Sequence, residues 1–139
     1  MNRCLINGMF VFEFVNERNY QGINVVFNSK DSFEKFLECL NVLREETKIL
    51  KIKTDDFDNE IISKIGLKNT KIKNFKGINF FLAKGLDCEV EKSNEVEISG
   101  DFGIIRLIIK TLNNLVSKNL VEFGMECKND TVVFWYFRK

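Results

Sequence analysis

The sequence predicts an α+β domain, a largely antiparallel sheet with two main helices packed on one face. Three observations carry that expectation. A unit of hairpin, capped helix and strand occurs twice, over residues 23–53 and again over residues 95–127, an internal pseudo-repeat. Short runs with the two-residue period of a half-buried strand flank both helical segments. No linker, low-complexity tract or block of charge divides the 139 residues, so the chain reads as a single domain, 1–139. A domain of that length buries about 68–70% of the surface its unfolded chain exposes.

Each element has its own signal. Leu5 to Val15 reads as one strand, with Phe10, Phe12 and Phe14 on one face and Met9, Val11 and Val15 on the other. Two apolar faces make it a central strand. Asn16 to Gly22 is a polar turn, and Ile23 to Asn28 returns antiparallel. Ser29 or Asp31 caps the first helix. Its Phe33, Phe36, Leu37, Leu40 and Leu43 recur at helical spacing, while Glu34, Lys35, Glu38 and Arg44 face away. Leu50 and Ile52 alternate with Lys51 and Lys53, a half-buried strand.

Asp58 or Asn59 caps a short helix carrying Ile61, Ile62 and Ile65, closed by Gly66. Residues 68–76 are basic and weakly alternating, an edge strand or an extended loop. Ile78 to Ala83 is a strand, Lys84-Gly85 a turn, and Leu86 to Ser99 a hairpin. Asp101 opens the second helix, with Ile105, Ile108, Ile109, Leu112, Leu115 and Val116 inward; Ile104 and Leu107 widen the apolar stripe. Strands Val121 to Cys127 and Thr131 to Phe137 close the chain through Asn129-Asp130.

Composition narrows the function. Twenty-one basic and twenty acidic residues leave a net charge of +1, with no global field of the kind nucleic-acid binders carry. There is no histidine, hence no usual general base or metal ligand, and no proline, hence no PxxP docking segment. Cys4, Cys39, Cys88 and Cys127 lie far apart without metal-type spacing. With no cleavable leader ahead of them, they are expected to be reduced thiols in a cytoplasm. No apolar run approaches the ~18 residues that span a bilayer. The chain is therefore expected to use no metal or cofactor, to sit in no membrane and to be no enzyme.

The sharpest local signal is an acidic hairpin. With Lys92-Ser93-Asn94 as its turn, Glu91 faces Glu95 and Glu89 faces Glu97, Asp87 extends the row, and Cys88, Val90, Val96 and Ile98 share the other side. Only an odd-length turn keeps the apolar residues together. Like charges directly opposite destabilise a sheet by ~0.2–1 kcal/mol each, so lysines of neighbouring strands or a basic partner should offset them. Lys51 and Lys53, or Lys71 and Lys73, alternate as such neighbours would. Trp135, in a terminal strand apolar on both faces, is an interface anchor where it is exposed and a core residue where it is covered.

Other patterns have simpler readings. Asp55-Asp56-Phe57-Asp58 lacks the glycine and closing acid of a calcium loop and reads as a solvated helix start. Lysines 64, 68, 71, 73 and 76 surround a single aromatic, Phe75, which fits an edge strand kept soluble better than a nucleic-acid stripe. Ser99-Gly100-Asp101-Phe102-Gly103 has a faint likeness to an anion-binding turn, and capping by Asp101 is sufficient for it.

From Glu95 to about Asp130 the chain resembles immunity proteins of bacterial polymorphic-toxin systems. The likeness rests on Ile98-Ser99-Gly100-Asp101, Gly103, and the helix residues Ile105, Ile108, Ile109 and Leu112. It implies a small cytoplasmic protein that binds and blocks a cognate toxin. The site residues expected for that role are Asp87, Glu89, Glu91, Glu95, Glu97 and Trp135. The rival readings are a phage- or plasmid-encoded inhibitor of a defence nuclease, a small-molecule or nucleotide module with its pocket between sheet and middle segment, and a homodimer.

Overall fold

The computed structural model describes residues 2–43 and 48–138, without the side chain of Asn2; Arg44 lies outside them. The class is α+β. Its strands are β1 (Asn2–Ile6), β2 (Met9–Phe14), β3 (Ile23–Phe27), β4 (Ile49–Thr54), β5 (Ile72–Phe75), β6 (Gly77–Leu82), β7 (Glu89–Lys92), β8 (Val96–Gly100), β9 (Glu122–Glu126) and β10 (Thr131–Tyr136). Its helices are α1 (Lys30–Leu40), α2 (Asn59–Ile65) and α3 (Gly103–Ser117).

The strands form two sheets where one was expected. Sheet I has the order β1-β4-β6-β8-β7, and sheet II the order β5-β2-β3-β10-β9. Antiparallel pairs predominate, but β1–β4, β6–β8 and β3–β10 run parallel. The division begins at Gly8, whose φ of +80° is cheap only for glycine. It breaks the expected Leu5 to Val15 strand, leaving β1 in sheet I and sending β2 to sheet II. Asp55 holds the break, accepting the Gly8 N–H on Oδ2 at 2.7 Å and donating its own N–H to the Met9 carbonyl at 2.9 Å. The pseudo-repeat then acts as a pair of bridges. The unit β2-β3-α1-β4 passes from sheet II to sheet I, and β7-β8-α3-β9 passes back.

The main core draws on both sheets and both long helices: Val25, Phe27 and Phe134 from sheet II, Ile52, Ile78 and Phe80 from sheet I, Phe36 and Leu40 from α1, Ile108 and Leu112 from α3. Phe36 joins them, its ring centroid 5.2 Å from Phe27, 6.2 Å from Phe134 and 6.1 Å from Phe80. On α3 the buried face is Ile104, Ile108, Thr111, Leu112 and Leu115. Ile105 and Ile109 are only half-buried, and Val116, expected inward, is 47% exposed. The stripe is rotated because Thr111 turns inward, satisfying its hydroxyl on the Leu107 carbonyl at 2.8 Å.

A second, aromatic core covers the other face of sheet II, where α2 and the middle segment set Ile61, Phe57 and Leu67 against Phe10, Phe12, Phe14 and Trp135. Most local signals hold: Ser29 caps α1, Asp58 caps α2, Gly66 closes α2 at φ 95°, and β5 is an edge strand. Asp101 does not cap α3, whose N-cap is Phe102 without a side-chain bond, because the Asp101 Oδ1 is taken by the Gly103 N–H.

Along the β7 edge the sheets are fastened together. Asn129, in the β9–β10 turn, donates Nδ2 to the Val90 carbonyl at 2.6 Å and accepts the Val90 N–H on Oδ1 at 2.8 Å. One amide thus occupies the hydrogen-bonding groups through which an open edge would recruit another strand. Beside it Cys88 and Cys127 form a disulfide, their Cα atoms 4.8 Å apart across 39 residues of sequence. This corrects the expectation of four reduced thiols, and thiol state no longer argues for a cytoplasmic location. Cys4 and Cys39 remain free. Burial pushes the Cys39 thiol up to about 12, and its hydrogen bond with Cys4 adds to the rise.

Two outcomes follow from this packing. Phe36→Ala removes contacts to both sheets at once and should cost about 3–5 kcal/mol in urea unfolding. Thiol titration without reductant should count two free cysteines in the denatured chain. In the native protein at pH 8, Cys39 should alkylate far more slowly than in the unfolded chain. Thiolate is the reactive form, and a thiol at about 12 is almost wholly protonated there.

Candidate functional site

The outer face of sheet I, turned away from the main core, carries the charged residues singled out above. The hairpin register is Glu89↔Ser99, Val90↔Ile98, Glu91↔Glu97 and Lys92↔Val96. The loop is Ser93-Asn94-Glu95, three residues as the pattern required, but one position later than expected. Parity is preserved, so Val90 and Ile98 still face the core. The expected pairs Glu91–Glu95 and Glu89–Glu97 are replaced by a single direct opposition, Glu91 across from Glu97.

Each acidic residue has a definite place. Asp87 is exposed ahead of β7. Glu89 pairs with Lys128 at 3.3 Å. Glu95, at the loop, accepts from Asn79 Nδ2 at 3.3 Å. Glu91 is exposed and Glu97 half-buried, and neither is ion-paired to a described residue. Trp135 is not at a surface. It is 5% exposed and donates Nε1 to the buried Asn24 Oδ1 at 2.9 Å, beneath the ring of Tyr20. The correction has a plain cause: the middle segment covers that face of sheet II, so Trp135 is a core residue and no interface anchor.

Register also places the lysines. Reading across the face, Arg3, Lys51, Asn79, Glu97 and Glu91 stand side by side on β1, β4, β6, β8 and β7. At a strand spacing of ~4.8 Å this row is about 19 Å long. Lys51 and Lys53 therefore share the acidic residues' face, but β6 separates them from Glu97. Lys73 is in the other sheet, across from Glu13. The face is consequently divided, basic over β1 and β4, acidic over β8 and β7.

At the division stands Asn79, which sequence reading passed over. It is 1% exposed and its Oδ1 has no hydrogen-bond partner among the described residues. A buried acceptor without a donor costs about 1–3 kcal/mol. The signal available in sequence was a polar residue inside the apolar run Ile78 to Leu82.

Lys92 keeps the acidic strand in place. Its ammonium reaches Glu13 at 3.0 Å and Asp130 at 3.2 Å, tying the hairpin to sheet II. Burial works against its charge, but the two carboxylates prevail and hold its pKa above the usual lysine value. The remaining charged motifs serve the fold. Asp55 holds Gly8, Asp58 caps α2, and Lys76 pairs with Asp56 at 2.8 Å, keeping that carboxyl below the usual aspartate value. Lys64 lies over Phe137 and Lys73 over Phe75.

Among the described residues no three Cys, Asp or Glu side chains gather where a metal ion could be held, and no helix is long and apolar enough to cross a membrane. No protein-family model and no curated protein matches the chain.

Replacing Lys92 by methionine should leave Glu13 and Asp130 facing each other with no cation between them. Because the site is partly open to solvent, the expected loss is about 1 kcal/mol. It should shrink as salt is raised, measurable by thermal unfolding at two ionic strengths.

Proposed function

We propose that the protein is a binding module whose outer face on sheet I receives a basic surface of another protein and blocks it. The observation that carries this reading is Asn79. Its buried Oδ1, without a described donor, lies beside Glu97 in register, and its Nδ2 is bonded to Glu95. The centre of the face is therefore electronegative, costly in the free protein and eased by a cation approaching Glu95 and Glu97. Glu91 and Glu97, which repel each other across the hairpin, gain from the same partner. The basic half of the face, with Arg3 and Lys51, sets the orientation by rejecting the partner's positive surface, which favours one docking direction.

Such a module fits an inhibitor in the manner of an immunity protein. The resemblance over Glu95 to Asp130 makes a bacterial toxin the first partner class. A defence nuclease, whose substrate groove is basic, is the second. Capture of partners from the native host at low salt, then release at high salt, identifies which class binds.

Two variants test the face itself. Glu91→Lys combined with Glu97→Lys should abolish salt-sensitive capture while the melting temperature is kept, since one like-charged pair replaces another. Asn79→Val removes the orphan acceptor and also the donor to Glu95, so stability should change by no more than about 1 kcal/mol while capture weakens. Undiminished capture by both would exclude this face.

A further inference from the structure

We propose a second binding site, for a phosphorylated small molecule of nucleotide size, at the end of sheet I where β6 and β8 stop and α3 begins. A cavity of about 700 Å³ opens there, inside the ~300–1,000 Å³ range of small-molecule sites. It lies beyond the carboxyl ends of two adjacent parallel strands whose chains then part: β6 runs into the loop before β7, and β8 into α3. Diverging connections of this kind leave a crevice at a sheet's end.

The cavity is built for an anion. Lys48 ahead of β4, Lys84 after β6 and Arg106 in the first turn of α3 all line it, from three separate segments of chain. No described carboxylate is ion-paired to any of the three. The one acidic residue of the lining, Asp101, already spends Oδ1 on the Gly103 N–H at 2.8 Å. Three positive charges against one negative leave +2 around the cavity, matching a phosphate monoester that carries about −1.5 to −2 at neutral pH. Arg106 supplies the planar fork that binds phosphate through two hydrogen bonds. The positive end of α3 points to the same place, with no acidic side chain in its first turn.

The size of the ligand is read from the rest of the lining. Phe102 is 37% exposed at the cavity, an aromatic face on which a base or other flat ring can rest. A bare phosphate would leave that face and most of the volume unused. The site shares no residue with the docking face of sheet I.

Calorimetric titration of the full chain with inorganic phosphate, adenosine 5′-monophosphate and adenosine 5′-diphosphate tests the proposal. Both nucleotides should bind, at least about tenfold more tightly than phosphate. Arg106→Ala and Lys84→Ala should each weaken nucleotide binding by about 10- to 100-fold, the worth of a hydrogen bond to a charged group. Phe102→Ala should weaken the nucleotides and leave phosphate unchanged. Glu91→Lys with Glu97→Lys should affect none of them. The proposal is overturned if neither nucleotide binds at millimolar concentration. It is equally overturned if phosphate binds as well as they do, or if Arg106→Ala and Lys84→Ala, melting as the parent does, bind with unchanged affinity.

Discussion

Phe36 is the side chain against which both sheets are assembled. From α1 it touches Phe27 and Phe134 of sheet II and Phe80 of sheet I, and it is wholly buried. Aromatic burial of this kind carries much of a core's energy. Because the contact joins two sheets rather than lining one, it decides where each can turn its other face. The other face of sheet II is closed by the second aromatic core. That of sheet I carries the charged row of Arg3, Lys51, Glu97 and Glu91, and it is the face proposed for docking.

The charged face is tolerable because the hairpin is fastened from its other sides. Along the β7 edge, a disulfide, the side-chain amide of Asn129 and the ammonium of Lys92 bind sheet I to sheet II within a few residues of one another. The strand that carries Glu89 and Glu91 is therefore held from its inner and edge sides. It can present opposed carboxylates outward without the hairpin opening. At the far edge, β1 pairs with β4 and meets α1 through the hydrogen bond between Cys4 and Cys39.

Much of the local chemistry was legible, though not the break at Gly8 or the start of α3 at Phe102 instead of Asp101. The Ser29 and Asp58 caps, the Gly66 closure, the β5 edge and the odd-length hairpin loop all follow from side chains near in sequence. Hairpin register slipped by two because Glu95 has a use the pattern could not show: it leaves the ladder to accept from Asn79 on a neighbouring strand. Trp135 was ambiguous for a similar reason. Two apolar faces say that a strand is enclosed, without saying by what, and the enclosing residues come from near position 60 and from Tyr20. Of the site, the acidic residues were readable as a group. Asn79 was hidden in an apolar run, and Lys48, Lys84 and Arg106 meet only through the ends of three different elements.

By itself the sequence determined the α+β class, the repeated hairpin-helix-strand unit, the approximate place of the helices and most strands, and the side of the hairpin that carries charge. These depend on period, capping and parity, which are properties of neighbouring residues. Tertiary structure alone decided that there are two sheets, that Cys88 meets Cys127, that β6 stands between the lysines and the carboxylates, and that three cations surround one cavity. Each of these depends on which strands lie side by side. Strand order is chosen by the packing of the whole core, and a two-residue alternation is the same whatever its neighbour.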